Sequence, residues 1–156
     1  MAVEIERRFL VQGDGWRGGA DGVRLRQGFM AADAVRSVRV RIAGGEAWLT
    51  IKAEATAVAR AEFEYPLPLA DAEHMLAQLC VFSVDKWRYH LEYGGREWTV
   101  DEYGADGGAL VIAEIELPDA TTDFPRPPWL GNEVTTDARY SYGYLLRHHC
   151  FGGSPA

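Results

Sequence analysis

The chain has 156 residues, 47% of them hydrophobic and 25% charged, a balance that suits one globular domain with a buried core and excludes a disordered polar chain. Its formal net charge of −7 argues against a general nucleic-acid binder, which needs a basic excess or a basic patch for phosphate contacts. There is no apolar run of about eighteen residues and no basic-then-apolar N-terminus, so neither a membrane span nor a secretion signal is expected, and the expected location is cytoplasmic.

The opening stretch Glu4-Ile5-Glu6-Arg7-Arg8-Phe9-Leu10 alternates. In a strand Glu4, Glu6 and Arg8 fall on one face, while Ile5, Arg7 and Phe9 fall on the other. Residues two apart on a strand are about 6.6 Å apart, a spacing at which two carboxylates can share metal ions or flank a polyanion. An edge strand with a solvated face has the same pattern. The glycine-rich segment from Gly13 to Gly22 reads as a mobile loop.

Period-2 alternation and β-branched or aromatic content predict eight strands, near residues 3–11, 22–30, 36–43, 46–53, 60–68, 83–93, 96–103 and 109–118. Gly44-Gly45, Gly94-Gly95 and the Gly104 to Gly108 segment divide them as short turns, so the strands they join pair antiparallel. None of these glycine clusters passes from a strand into a helix as a phosphate-cradling loop must. A helix is predicted over Ala70 to Leu79, capped by Asp71, as a crossover that plugs or covers the barrel. A second is predicted from Asp137 to His148 with Thr136 as its cap. Three prolines between Phe124 and Trp129 rule out regular structure there. The fold class is therefore mainly β: an eight-stranded antiparallel barrel with a crossover helix and a C-terminal helix. It forms a single domain over 1–151, with 152–156 as a frayed tail.

The opening alternation recurs. Arg39 and Arg41 alternate with Val38, Val40 and Ile42; Thr50 and Lys52 with Leu49 and Ile51; Glu62 and Glu64 with Phe63 and Tyr65. Lys86 and Arg88 alternate with Trp87 and Tyr89, Asp101 with Val100, and Glu114 and Glu116 with Ile115 and Leu117. Two readings compete. The charged face is outside and its ion pairs contribute little, or it points inward and lines a hydrated tunnel. Such a tunnel would grip phosphate oxygens with its bases and hold hard cations such as Mg²⁺ or Mn²⁺ with its carboxylates. Strands three and six are basic while five and eight are acidic, a segregation that a solvated surface rarely shows.

These residues together resemble the CYTH superfamily, the triphosphate tunnel metalloenzymes, over nearly the whole chain. The resemblance rests on Glu4 to Val11 against an ExExK opening, then Arg26-Gln27-Gly28-Phe29, Val38 to Arg41, Leu49 to Lys52 and Glu62 to Tyr65. It continues through Asp85 to Tyr89, Ala113 to Leu117 and Trp129 to Thr135. It implies a tunnel that binds a linear triphosphate, and the short bacterial members it looks most like include hydrolases of inorganic tripolyphosphate. It further implies Arg8, Arg39, Arg41, Lys52, Lys86, Arg88 and Arg139 as triphosphate ligands. Glu4, Glu6, Asp101, Glu114 and Glu116 are implied as metal ligands, with Glu62 and Glu64 in support, and Mg²⁺ or Mn²⁺ as the cofactor. Activation of water by two metals needs no nucleophilic Ser or Cys. Glu4, Glu6, Arg8 and Phe29 would sit at the reacting end.

Two positions depart from the family pattern: Arg8 stands where Lys is usual and Phe29 where Tyr is usual. Arg does not give up its proton and Phe forms no hydrogen bond, so altered rate, cleavage preference or substrate is expected. The helix after Thr135 also lacks the extra lysines that many relatives place after the Arg-Tyr pair. Alternatives within the fold are hydrolysis of thiamine or nucleoside triphosphate and adenylyl cyclase activity; a non-catalytic polyphosphate or nucleotide binder is a different class. The expected partner is a small triphosphate, with no nucleic acid and no membrane, and a homodimer is one way to cover the outer apolar face. Cys80 and Cys150, seventy residues apart, are expected as free thiols. His148-His149-Cys150 lacks a matching partner ligand, His74 and His90 are isolated, and Trp87 and Trp98 read as packing. Arg24 and Arg26 are open between lumen and solvent, because a bulge at Gly28 would change the phase.

Overall fold

The computed structural model describes residues 2–19, 21–33, 35–54, 59–104 and 110–141. The predicted alternation becomes β1 (Ala2–Val11), β2 (Val23–Ala32), β3 (Arg36–Ala43), β4 (Glu46–Glu54), β5 (Ala59–Leu67), β6 (Phe82–Tyr93), β7 (Arg96–Tyr103) and β8 (Leu110–Glu116). Helix α1 (Leu69–Gln78) connects β5 to β6, and a short strand, β9 (Leu130–Glu133), follows β8. The sheet runs β5-β4-β3-β2-β6-β7-β8-β1 with every pairing antiparallel, and β1 returns to β5. The result is a closed eight-stranded barrel, with β9 added along part of β1.

Closure depends on β1 serving two partners along one edge. Phe9 pairs with Ala113 of β8 and with Glu133 of β9, so those two strands lie on opposite edges of β1. Ile5 pairs with Ala59 of β5 while its carbonyl accepts from the Leu117 amide just beyond β8. Thus β5 pairs with residues 2–5, and β9 takes up the same edge where β5 leaves it. This ninth strand was not predicted. In the turn between β3 and β4, Gly44 and Gly45 have φ of 58° and 88°, which suits a two-residue hairpin whose central residues both need positive φ.

Residues directly opposite across a strand pair share a face, so the register decides which way each strand points. Gln27 pairs with Arg41 and with Val84, Lys86 with Tyr103, Arg88 with Asp101, Asp101 with Ile112, and Arg8 with Glu114. These all lie on the inner face. The other face holds the bulk. Phe9, Trp98, Val100, Ala113 and Ile115 pack outside the barrel under Trp16, Phe124, Trp129 and Leu130. The Trp98 ring sits edge-on to Phe9, Phe124 and Trp129 at 5.8, 5.6 and 5.7 Å. On the far side Val40, Ile42 and Ala47 are covered by Ala72, Met75 and Leu76 of α1. Helix α1 therefore covers the barrel and does not plug it.

One end of the lumen is apolar. The inward residues Leu10, Val84, Tyr103, Leu110 and Ile112 meet Val134 and Tyr140 there. Charge lines the barrel beyond this filling.

Several expectations change. Helix α1 starts at Leu69 after Pro68, with no side-chain cap, and Asp71 lies inside its first turn, where a carboxylate suits the helix dipole. Of the predicted C-terminal helix, the described part is a 3₁₀ turn at Ala138–Tyr140 capped by Asp137, whose carboxylate accepts from the Arg139 amide, and not by Thr136. Residues 142–156, including His148, His149, Cys150 and the expected tail, lie outside the described residues. The segment expected to be a mobile loop is pinned: Trp16 is buried in the outer cluster, and Arg17 pairs with both oxygens of Glu102 at 2.9 and 3.1 Å. Arg24 and Arg26 point outward to Asp85 and Glu73, because the bulge in β2 falls between Phe29 and Ala31 and leaves the earlier phase intact. Trp98 is buried, whereas Trp87 is exposed. No described helix is long and apolar enough to cross a membrane.

Candidate functional site

The charged belt of the lumen comprises side chains from β1 and from β3 to β8, positioned by strand parity. On β6 and β7, Lys86 and Asp101 are both fully buried. Asp101 Oδ2 accepts from Lys86 Nζ at 2.6 Å and from Arg88 Nη2 at 2.7 Å, and its Oδ1 accepts from Arg88 Nε at 2.7 Å. Burial alone pushes the Asp101 carboxyl up, but the charges and hydrogen bonds of Lys86 and Arg88 hold it well below the usual carboxylate range. Asp101 thus anchors two cations with both oxygens.

Arg8 of β1 donates from Nε to Glu114 Oε1 at 3.1 Å and from Nη1 to the Tyr140 carbonyl, tying β1 to β8 and to the 3₁₀ turn. Glu114 is raised by burial and, to a smaller extent, by Asp101. Arg8, with Arg88 and Lys86 beyond, brings it below its ordinary value. Glu6 of β1 lies directly opposite Glu116 of β8, and Arg60 of β5 pairs with Glu6. Like charges directly opposite destabilise a sheet unless a positive group meets them. The backbone of Glu4 lies in β1 opposite Arg60; its side chain lies outside the described atoms.

The remaining wall is β3 to β5. Arg41 approaches Glu64 at 3.6 Å and lies over the Trp48 ring, and Lys52 approaches Glu62 at 3.8 Å. Thr50 donates to Glu64 at 2.9 Å and meets Arg39 Nη2 at 3.5 Å. Arg39 is only 7% exposed, its Nε has no hydrogen-bond partner, and it forms no ion pair among the described residues. A buried cation without a counter-charge costs several kcal/mol, on the order of the effective penalty for one desolvated ion. Phe29 of β2 is buried opposite Arg39 and Phe82.

The barrel therefore brings Arg8, Arg39, Arg41, Lys52, Lys86, Arg88, Glu6, Glu62, Glu64, Asp101, Glu114 and Glu116 onto one inner surface. Arg139 stands apart: its guanidinium is exposed and bonded to Asp137 at 2.6 Å. Two inner residues were missed. Arg60 shares the parity of Glu62 and Glu64, and Gln27 that of Leu25 and Phe29, so both were available from alternation. Among the described residues no three His, Cys, Asp or Glu side chains are gathered in a preformed metal-holding group.

A family profile described as the CYTH domain matches residues 2–144. Among curated proteins, an inorganic triphosphatase of Acetivibrio thermocellus is 42% identical over 149 residues, covering 95% of this chain and 96% of that protein. One of Nitrosomonas europaea is 33% identical over 142 residues, covering 88% and 92%. A crystal structure of an inorganic triphosphatase superposes with a TM-score of 0.66 at 32% identity, over 94% of this chain and 95% of that one. With the inward-facing charge, the closed barrel and the profile spanning both, the chain belongs to the CYTH domain family.

Proposed function

We propose that the chain is a metal-dependent triphosphatase acting on inorganic tripolyphosphate in the charged lumen. The observation that carries this reading is Arg39, a buried guanidinium with no counter-charge among the described residues. Such a cation calls for an anion from outside the fold. The two inorganic triphosphatases at 42% and 33% identity give the anion's identity.

In this reading Arg39, Arg41 and Lys52 on one wall and Lys86, Arg88 and Arg8 on the other hold the phosphate oxygens. Arg guanidinium groups do so bidentately, with the plane of each fork matched to two oxygens. Asp101 keeps Lys86 and Arg88 aimed, so its work is anchoring and not metal ligation. A polyanion that takes over Arg8 and Arg60 leaves Glu114 and Glu6 without their counter-charges. The all-oxygen set Glu6, Glu114 and Glu116, with the facing pair Glu6 and Glu116, fits a hard divalent cation, Mg²⁺ or Mn²⁺, with Glu4 and the supporting Glu62 and Glu64 nearby in sequence phase. When bound, that metal offsets phosphate charge and lowers the pKa of water. Arg139 lies outside this set, and its pairing with Asp137 is a surface contact.

The test is to incubate purified protein with tripolyphosphate, thiamine triphosphate, ATP and pyrophosphate, each with Mg²⁺ or Mn²⁺, and to identify products. Orthophosphate and pyrophosphate from tripolyphosphate are expected, lost in Glu116→Gln. Tight binding without turnover in either metal would make the chain a polyphosphate binder, and cyclic AMP from ATP would make it a cyclase.

A further inference from the structure

Gln27 is a neutral, polar side chain of the lumen that the proposed reading leaves without work. It lies on the inner face of β2, opposite Arg41 of β3 and Val84 of β6. β2 is the strand between the two basic strands, so Gln27 sits in the middle of the arc formed by Arg39, Arg41, Lys86 and Arg88. Its side chain is 1% exposed, and neither Nε2 nor Oε1 has a hydrogen-bond partner among the described residues. Each unmet buried polar group costs about 1–3 kcal/mol, and native interiors leave few of them. A leucine or methionine would fill the same space at no such cost.

An unmet donor and an unmet acceptor in one amide restrict what it can be waiting for. Phosphate oxygens only accept, so a phosphate alone would satisfy Nε2 and leave Oε1 facing negative charge. A water molecule supplies the missing O–H. Phe29, two residues on and on the same face, offers no hydrogen bond, and Thr50 already donates to Glu64.

We propose that Gln27 is a positioning residue for hydrolysis: Oε1 accepts from the attacking water while Nε2 donates to an oxygen of the terminal phosphate. This rests on the triphosphatase reading. The water oxygen forms a bond to the terminal phosphorus, and the bridging P–O bond breaks with its electron pair going to pyrophosphate. The water's two protons end one on each product by way of solvent. Gln27 gains and loses none, so it fixes the geometry and not the pH dependence.

The test measures kcat, KM and the pH profile for tripolyphosphate with Mg²⁺, and thermal unfolding, in wild type and Gln27→Leu. A fall in kcat of about 10–100-fold, the scale of a misplaced reactant, is expected. KM should stay within about threefold, the pH profile should keep its shape, and Tm should be equal or higher because two unmet polar groups are gone. A kcat within twofold of wild type, or a loss confined to KM, would overturn the proposal. Gln27→Met is read by the same criteria should Gln27→Leu not fold, and a lowered Tm in both overturns it, because the amide then serves the fold. Wild type without tripolyphosphate turnover would overturn the triphosphatase reading itself and this proposal with it, whereas failure of the Gln27 proposal alone leaves wild-type turnover intact.

Discussion

Asp101→Asn tests whether Asp101 anchors Lys86 and Arg88. The carboxylate is fully buried and bonds Lys86 once and Arg88 twice, at 2.6 and 2.7 Å. An asparagine keeps the volume but removes the charge and one acceptor, leaving two cations close together. Removing one partner of a buried pair costs about 3–5 kcal/mol, because the uncompensated charge stays behind. For a domain of this size, each kcal/mol lowers Tm by about 2–4 °C, so a drop of about 6–20 °C is expected at pH 7.

The pH dependence supplies the sign. The folded-state pKa of Asp101 is depressed by Lys86 and Arg88, so its contribution is fully present above the ordinary carboxylate value of about 4 and is lost as pH falls below it. The gap between wild type and variant should be full at pH 7 and shrink toward pH 3. Tripolyphosphate should narrow it at pH 7, since a bound anion supplies the missing charge and stabilises by mass action. Thermal unfolding followed by circular dichroism measures all three. A Tm loss below about 2 °C, or a gap that widens on acidification, would refute the anchoring role.

Arg39→Met should leave Tm unchanged or raised, because it removes a buried charge with no counter-charge among the described residues, while KM for tripolyphosphate rises at least about tenfold, as expected when a charged hydrogen bond is lost; steady-state kinetics beside thermal unfolding checks both. Gly28→Ala should destabilise by about 1–3 kcal/mol through overpacking, since the added Cβ would lie 2.6 Å from Cys80 Sγ and 2.8 Å from Leu76 Cδ2 at the end of α1. Urea titration measures that loss, and faster alkylation of Cys80, whose burial pushes its thiol pKa up, would report the loosened helix. Arg8→Lys combined with Phe29→Tyr should change the rate or the product ratio, by exchanging a fixed cation and an inert ring for a titratable amine and a hydrogen-bonding phenol; product analysis over a pH series reads it, and no change in either would mark both departures as neutral.

The strands were legible because alternation survives closure of the sheet: eight of the nine were predicted with ends within two residues of those observed. β9 was not, for a physical reason. Four residues after a proline-rich run carry no periodic signal, and they become a strand only because β5 leaves the edge of β1 after Ile5. The direction of the charged face was not legible from alternation either, since a barrel turned inside out has the same period. What decides it is cover. The aromatic face finds Trp16, Phe124, Trp129 and α1 to bury it, and none of those contacts follows from local pattern. Arg60 and Gln27 were legible by parity and passed over by type, a lone base beside two acids and a lone amide among cations.

Two sets of ion pairs in the lumen differ in length, and the difference matches two demands of a site for a polyanion. Lys86, Arg88 and Asp101 are joined by bonds of 2.6–2.7 Å between two adjacent strands, which fixes positive charge in place at no cost of reorganisation when an anion arrives. Arg41 with Glu64 at 3.6 Å and Lys52 with Glu62 at 3.8 Å are longer contacts. Arg39 contributes a cation with no carboxylate partner among the described residues. An incoming triphosphate would therefore meet one wall of short ion pairs and one wall where the Arg41 and Lys52 pairs are longer. In the proposed reading, substrate selection lies in how many phosphates reach from β3 to β6, and β2 with Gln27 stands between those strands.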